Sequence, residues 1–125
     1  MLHRTLTQFL TDVYFGDLDV LLIDLPPGTG DIAISLGQLL PQAEVLVVTT
    51  PQPAAAEVAE RSGLVARQTG QRVIGVVENM AGGIFGAGGG ADAAARLGAP
   101  LLASIPLSQA PVSYTHLTLP TKRIV

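Results

Sequence analysis

The chain has 125 residues, enough for one small domain. Its 48% hydrophobic and 14% charged residues exclude disorder, and its lack of cysteine excludes disulfides, a thiolate nucleophile and a cysteine-held metal or iron–sulfur centre within the chain. The net charge of -3 argues against a nucleic-acid surface. No apolar run reaches the ~18 residues of a membrane span, and no charged start followed by an apolar stretch predicts a secretion signal.

Residues 1–15 read as a helix, because Leu2, Leu6, Phe9, Leu10 and Val13 recur at helical spacing. His3 lies on it without a ligand partner nearby and is assigned no chemistry. Residues 20–25, "VLLIDL", form a continuous apolar run expected as a strand buried on both faces. Residues 31–40 fit a helix closed by Pro41, with Asp31 placed to serve as its N-cap. "EVLVVT", 44–49, reads as a second buried strand. A helix over 53–69 follows, with Pro53 in its first turn and Gly70 at its C-cap. "RVIGVV", 72–77, is the third expected strand, and "AGGIFGAGGG" a glycine-rich loop. A short helix over 91–97 and a strand over 100–105 complete the pattern. Alternating strands and helices predict an α/β fold with a parallel sheet and right-handed crossovers. Ligands of such sheets bind beyond the carboxyl ends of the strands. That directs attention to Asp24, Thr49, Thr50, Glu78, Asn79 and the turn at Pro106.

Asp24 closes the first apolar run and is followed by "PPGTGD". A carboxylate at a buried strand end is the layout of a Walker B site, where it holds Mg²⁺, usually through water, beside a nucleotide phosphate. Proline restricts the turn, and Gly28 lets backbone approach a ligand with its N–H free for a phosphate oxygen. The plainer alternative is an ordinary turn with Asp31 as a cap. Asn79 offers a donor and an acceptor suited to a purine edge, although spacing alone reads it as a turn residue. "GAGGG", 86–90, precedes a helix whose free N–H groups could hold an anion. With no lysine or Ser/Thr in place it is not a P-loop, and it reads as a flexible connection.

Together, "DVLLIDLPPGTGDIAISLGQLLPQAEVLVVTTPQPAAAEVAER", "VIGVVENM", "IFGAGGG" and "GAPLLASIPL" resemble the Mrp/Nbp35 family of iron–sulfur cluster carrier P-loop ATPases, relatives of MinD and ParA with a deviant Walker A motif. The resemblance spans residues 1–111. It implies a partial, Rossmann-like three-layer P-loop NTPase fold lacking the leading P-loop strand. It implies that Asp24 is the Walker B aspartate near Mg²⁺ and that 26–28, with Gly28, is a switch sensing the γ-phosphate, the two catalytic positions. It further implies that Asn79 contacts adenine, with Pro106 and Leu107 bordering the base. ATP and Mg²⁺ are the implied cofactors. The family implies a cytoplasmic homodimer that passes an iron–sulfur cluster to apo-proteins, with neither nucleic acid nor membrane as partner.

Three departures qualify this. A GKGGVGKS-type loop is not present before residue 20, so the chain is expected to be the C-terminal part of a longer ATPase and not to hydrolyse ATP alone. The Cys-x-x-Cys of many members does not occur, so cluster carriage by this chain does not follow. The family pattern ends after "IPL". From Met1 to Pro111 every basic side chain is arginine, whereas "VSYTHLTLPTKRIV" brings Lys122. Its first ten residues resemble the in-frame translation of a transposon-end sequencing adapter, so 112–125 is expected to be a non-native tail. Two other functions remain open at this stage. One is a MinD/ParA-type positioning ATPase, although neither an amphipathic membrane helix nor a basic DNA-binding patch is visible. The other is an inert fragment.

Overall fold

The computed structural model describes residues 2–26, 28 and 30–108. The expected tail, 112–125, and residue 27 of the expected switch turn lie outside the described residues.

The chain opens with helix α1 (Leu2–Asp12), three residues shorter at its end than the spacing predicts. Phe9 and Phe15 meet edge to face with ring centroids 5.7 Å apart. Helix α2 (Asp31–Leu39) follows, and Gly30, not Asp31, is its N-cap. Asp31 instead occupies the first turn, where a carboxylate favours the positive end of the helix dipole. Strand β1 (Glu44–Thr49), helix α3 (Pro53–Gln68), strand β2 (Arg72–Ala81), helix α4 (Gly89–Leu97) and strand β3 (Leu101–Pro106) then alternate.

The three strands form a parallel sheet in the order β1-β2-β3. Parallel neighbours need crossover connections, which α3 and α4 supply. Both pack on the same face, where Val47, Val73 and Val76 of the sheet meet Ala56, Ala59, Ala66, Ala93, Ala94 and Leu97. The small alanines let helix and sheet backbones approach closely. Gly63 does the same between helices: a Cβ there would lie 2.8 Å from the Leu97 methyl carbons. Helix α1 packs on α2 and α2 on α3. The described residues therefore form two layers, helices on one side of the sheet. On its other side Leu46, Val48, Leu102 and Ile105 are about half exposed.

One expected strand is absent. Residues 20–25 have no regular structure and join none of the three strands. Leu22 is 77% exposed, and Val20, Leu21, Ile23 and Leu25 are also exposed. An apolar run supplies the propensity for a strand, but a strand exists only when its N–H and C=O groups find a ladder partner. Among the described residues none pairs with this run. Asp24 consequently does not sit at a strand end, which corrects the sequence expectation.

Candidate functional site

All three strands run parallel, so their carboxyl ends share one edge of the sheet. There the register places Thr49, Glu78 and Ser104 side by side across β1, β2 and β3. All three belong to the face that carries the helices. Strand β2 runs four residues further than its apolar pattern suggests, so Glu78 and Asn79 lie within it.

Glu78 is the polar centre of this edge. It is only 3% exposed. Its Oε1 accepts hydrogen bonds from the backbone N–H groups of Gly88 (2.8 Å) and Gly90 (2.9 Å), and its Oε2 accepts one from the Ser104 hydroxyl (2.8 Å). The Gly90 N–H is the strongest influence holding this carboxyl below its ordinary value of 4.5; burial opposes it, and Ser104 and Gly88 add to it. The glycines are explained by the same contact. Gly88 has a φ of +108°, and a Cβ on Gly90 would stand 2.5 Å from the Glu78 Cβ. The glycine-rich segment is thus neither a loose connection nor an open anion site. Its helix N-terminus is already occupied by an internal carboxylate.

Asn79 is half-buried beside this centre, and its Oδ1 accepts the Met80 N–H at 2.9 Å. Met80 adopts a φ of +58°, and among the described residues it is the non-glycine with positive φ. Such a conformation in an unbranched residue costs about 1–3 kcal/mol and clusters at functional sites. The end of β3 closes against this turn: Ala81 pairs with Pro106, and the Leu107 N–H donates to the Ala81 carbonyl at 2.9 Å. The structure therefore gathers Asn79, Pro106 and Leu107 on one rim.

Asp24 and Gly28 do not join that rim by any described contact. Asp24 is exposed on the irregular segment. Gly28 has a φ of +100° and its carbonyl accepts the Ser62 hydroxyl of α3 at 3.4 Å. For the Mg²⁺ expected at Asp24, an exposed carboxylate, the described residues bring no three His, Cys, Asp or Glu side chains together. These residues do not form a cation site by themselves. A cleft of about 70 Å³ lies between Pro51, Ala56 and Gly89, far below the ~300 Å³ of a small-ligand pocket. Glu78 was the residue the sequence undersold. An acid inside an apolar strand, ten residues before a glycine-rich helix start, is the signal that identifies it.

Residues 1–121 match the family described as ParA: NUBPL iron-transfer P-loop NTPase. The chain belongs to this family. The iron-transfer P-loop NTPase assignment agrees with the partial parallel α/β architecture. The chain is also 61% identical, over 90% of its length, to the iron-sulfur cluster carrier protein of Mycobacterium leprae, of which it covers 33%. It is 61% identical to that of Mycobacterium tuberculosis H37Rv, again over 90% of its own length and covering 34% of the relative. The corresponding protein of Bacillus subtilis is 43% identical over 87% of the chain, with 34% of the relative covered. The chain thus spans about a third of the length of these curated relatives. Among the described residues no helix is long and apolar enough to cross a membrane.

Proposed function

We propose that this chain is the base-side portion of a nucleotide-dependent iron–sulfur cluster carrier. The observation that carries the reading is the shared rim of Asn79, Pro106 and Leu107 at the carboxyl edge of a parallel sheet, where ligands of such sheets bind. The Asn79 amide offers a donor and an acceptor to the edge of an adenine, and Pro106 and Leu107 offer apolar surface to its ring. The hydrogen bond from the Met80 N–H to the Asn79 Oδ1 accompanies the left-handed turn at Met80, which the surrounding structure must hold against its cost. In the parent protein Asp24 would meet Mg²⁺ and Gly28 would sense the γ-phosphate. Both functions require a phosphate-binding loop, and this sequence contains no such motif. The cluster is cargo passed to apo-proteins. With no cysteine here, its ligands would come from elsewhere in the parent, with a second copy as the natural partner, in the cytoplasm.

The test is displacement of a fluorescent ATP analogue from the chain by ATP and by GTP. Binding is expected to be weak, with ATP preferred. Asn79→Ala is expected to erase about a ten-fold adenine preference, the worth of one net hydrogen bond. Equal displacement by both nucleotides, unaffected by Asn79→Ala, would overturn the reading. No ATP hydrolysis above buffer is expected from the chain alone.

A further inference from the structure

Glu78 has no part in the nucleotide chemistry just described, yet it is the most buried acidic side chain at the edge where that chemistry is proposed. Its carboxylate ties α4, through Gly88 and Gly90, to β2, which bears it, and to β3, through Ser104, at the end where the two strands also pair through Ala81 and Pro106. The residues between these anchors, 79–87, include Asn79 and the strained Met80. Ser104 lies two residues before Pro106 and three before Leu107, whose N–H closes onto Ala81. Fixing Gly88 and Ser104 to one carboxylate therefore fixes both walls of the rim at once.

We propose that Glu78 is a positioning residue that sets the spacing between Asn79 and the Pro106–Leu107 turn by clasping the glycine-rich segment to β3. The inference rests on the reading of Asn79 as the base contact, but its geometry stands independently of that reading. The choice of an acid follows from the donor set. Two backbone N–H groups and a hydroxyl all donate inward, and a carboxylate, with two acceptor oxygens and a charge, satisfies them together without turning the hydroxyl round. The neighbours of Glu78 in register, Thr49 and Ser104, are uncharged. Of the charged groups on the packed helices, Glu57 of α3 and Asp92 and Arg96 of α4 line the small cleft beyond Gly89, Glu60 of α3 pairs with Arg96, and Arg61 and Arg67 complete the set on α3. The lowered pKa of Glu78 is consistent with its standing ionised within this donor set.

Hydrogen–deuterium exchange on the chain, read at single residues by mass spectrometry and corrected for intrinsic rates, tests the clasp. In the parent chain Gly88 and Gly90 should be protected, with protection falling as Glu78 takes up a proton. Glu78→Gln keeps an oxygen for the two amides and should keep most protection while losing its pH dependence. Glu78→Ala should speed exchange at Gly88 and Gly90 about ten-fold, with faster exchange at Leu107 as well, while α3 stays protected. Unchanged protection at Leu107 in Glu78→Ala would reduce Glu78 to a local helix cap and overturn the proposal. If Glu78→Ala loses protection everywhere, Glu78→Gln decides: pH dependence surviving in it would overturn the clasp. ATP displacement on the same variants separates the two ideas. No ATP binding by the parent chain defeats the base-contact reading and leaves the exchange result to judge the clasp. Equal ATP binding by the parent chain and a folded Glu78→Ala variant defeats the positioning role.

Discussion

Glu78 shows how much one carboxylate can organise when every donor around it belongs to backbone or hydroxyl. Removing it leaves two N–H groups and Ser104 without their acceptor, and Glu78→Ala is expected to lower stability by about 2 kcal/mol in chemical denaturation. The pH dependence follows from its lowered pKa. The ionised form is favoured by the fold, so the contribution is complete above the ordinary value of 4.5 and is lost as pH falls through the lower folded value. The parent chain should lose stability on acidification in that window, and Glu78→Gln should lose less; equal acid sensitivity of the two would contradict this. Asn79 stands out in the sequence only through the family resemblance, since spacing alone reads it as a turn residue; the strand in fact continues past it to Ala81, which pairs with Pro106. Glu78 was visible only as a polar residue in sequence. Its partners lie ten to twenty-six residues away; the glycine-rich run marks Gly88 and Gly90, and no local pattern announces Ser104.

At the scale of elements, the alternation of strands and helices was readable because one crossover helix lies between each pair of successive strands, α3 between β1 and β2 and α4 between β2 and β3. Pro53 starts α3, and Gly98, with a φ of +56°, ends α4 in a left-handed turn, as their chemistry dictates. The segment 20–25 was misread for a physical reason. Apolar composition reports what a strand would bury, whereas the ladder depends on a partner distant in sequence. The packed part is held by close contact between α3 and α4, where Leu97 is fully buried against Gly63. Leu97→Ala is expected to cost about 2–5 kcal/mol, measured by urea unfolding. A cost under 1 kcal/mol would mean that the two helices are not the centre of the core.

For the whole molecule, the covered and uncovered faces of the sheet decide behaviour in solution. Parallel sheets are ordinarily covered on both faces. Here Leu46 and Val48 face outward from β1, and Leu22 is largely exposed nearby in sequence order. The chain alone is expected to self-associate, and the double substitution Leu46→Lys, Val48→Lys should raise its soluble yield. A monodisperse parent chain in light scattering would contradict that expectation. Truncation after Pro111 should leave the unfolding midpoint unchanged, since 112–125 is proposed to be a non-native tail. Family membership was legible because "DLPPGTGD" and "VENM" are dense local motifs. The chain's span, a third of its relatives, became measurable only by comparison.

The most direct measurement is photoaffinity labelling of the chain with an azido-adenine analogue of ATP, followed by mapping of the modified residues. Labelling confined to the strand ends around Asn79, Pro106 and Leu107, and suppressed by excess ATP but not by GTP, is the expected result. Labelling spread over the chain, or concentrated on the exposed segment around Leu22, would contradict the assignment of this rim to the nucleotide base.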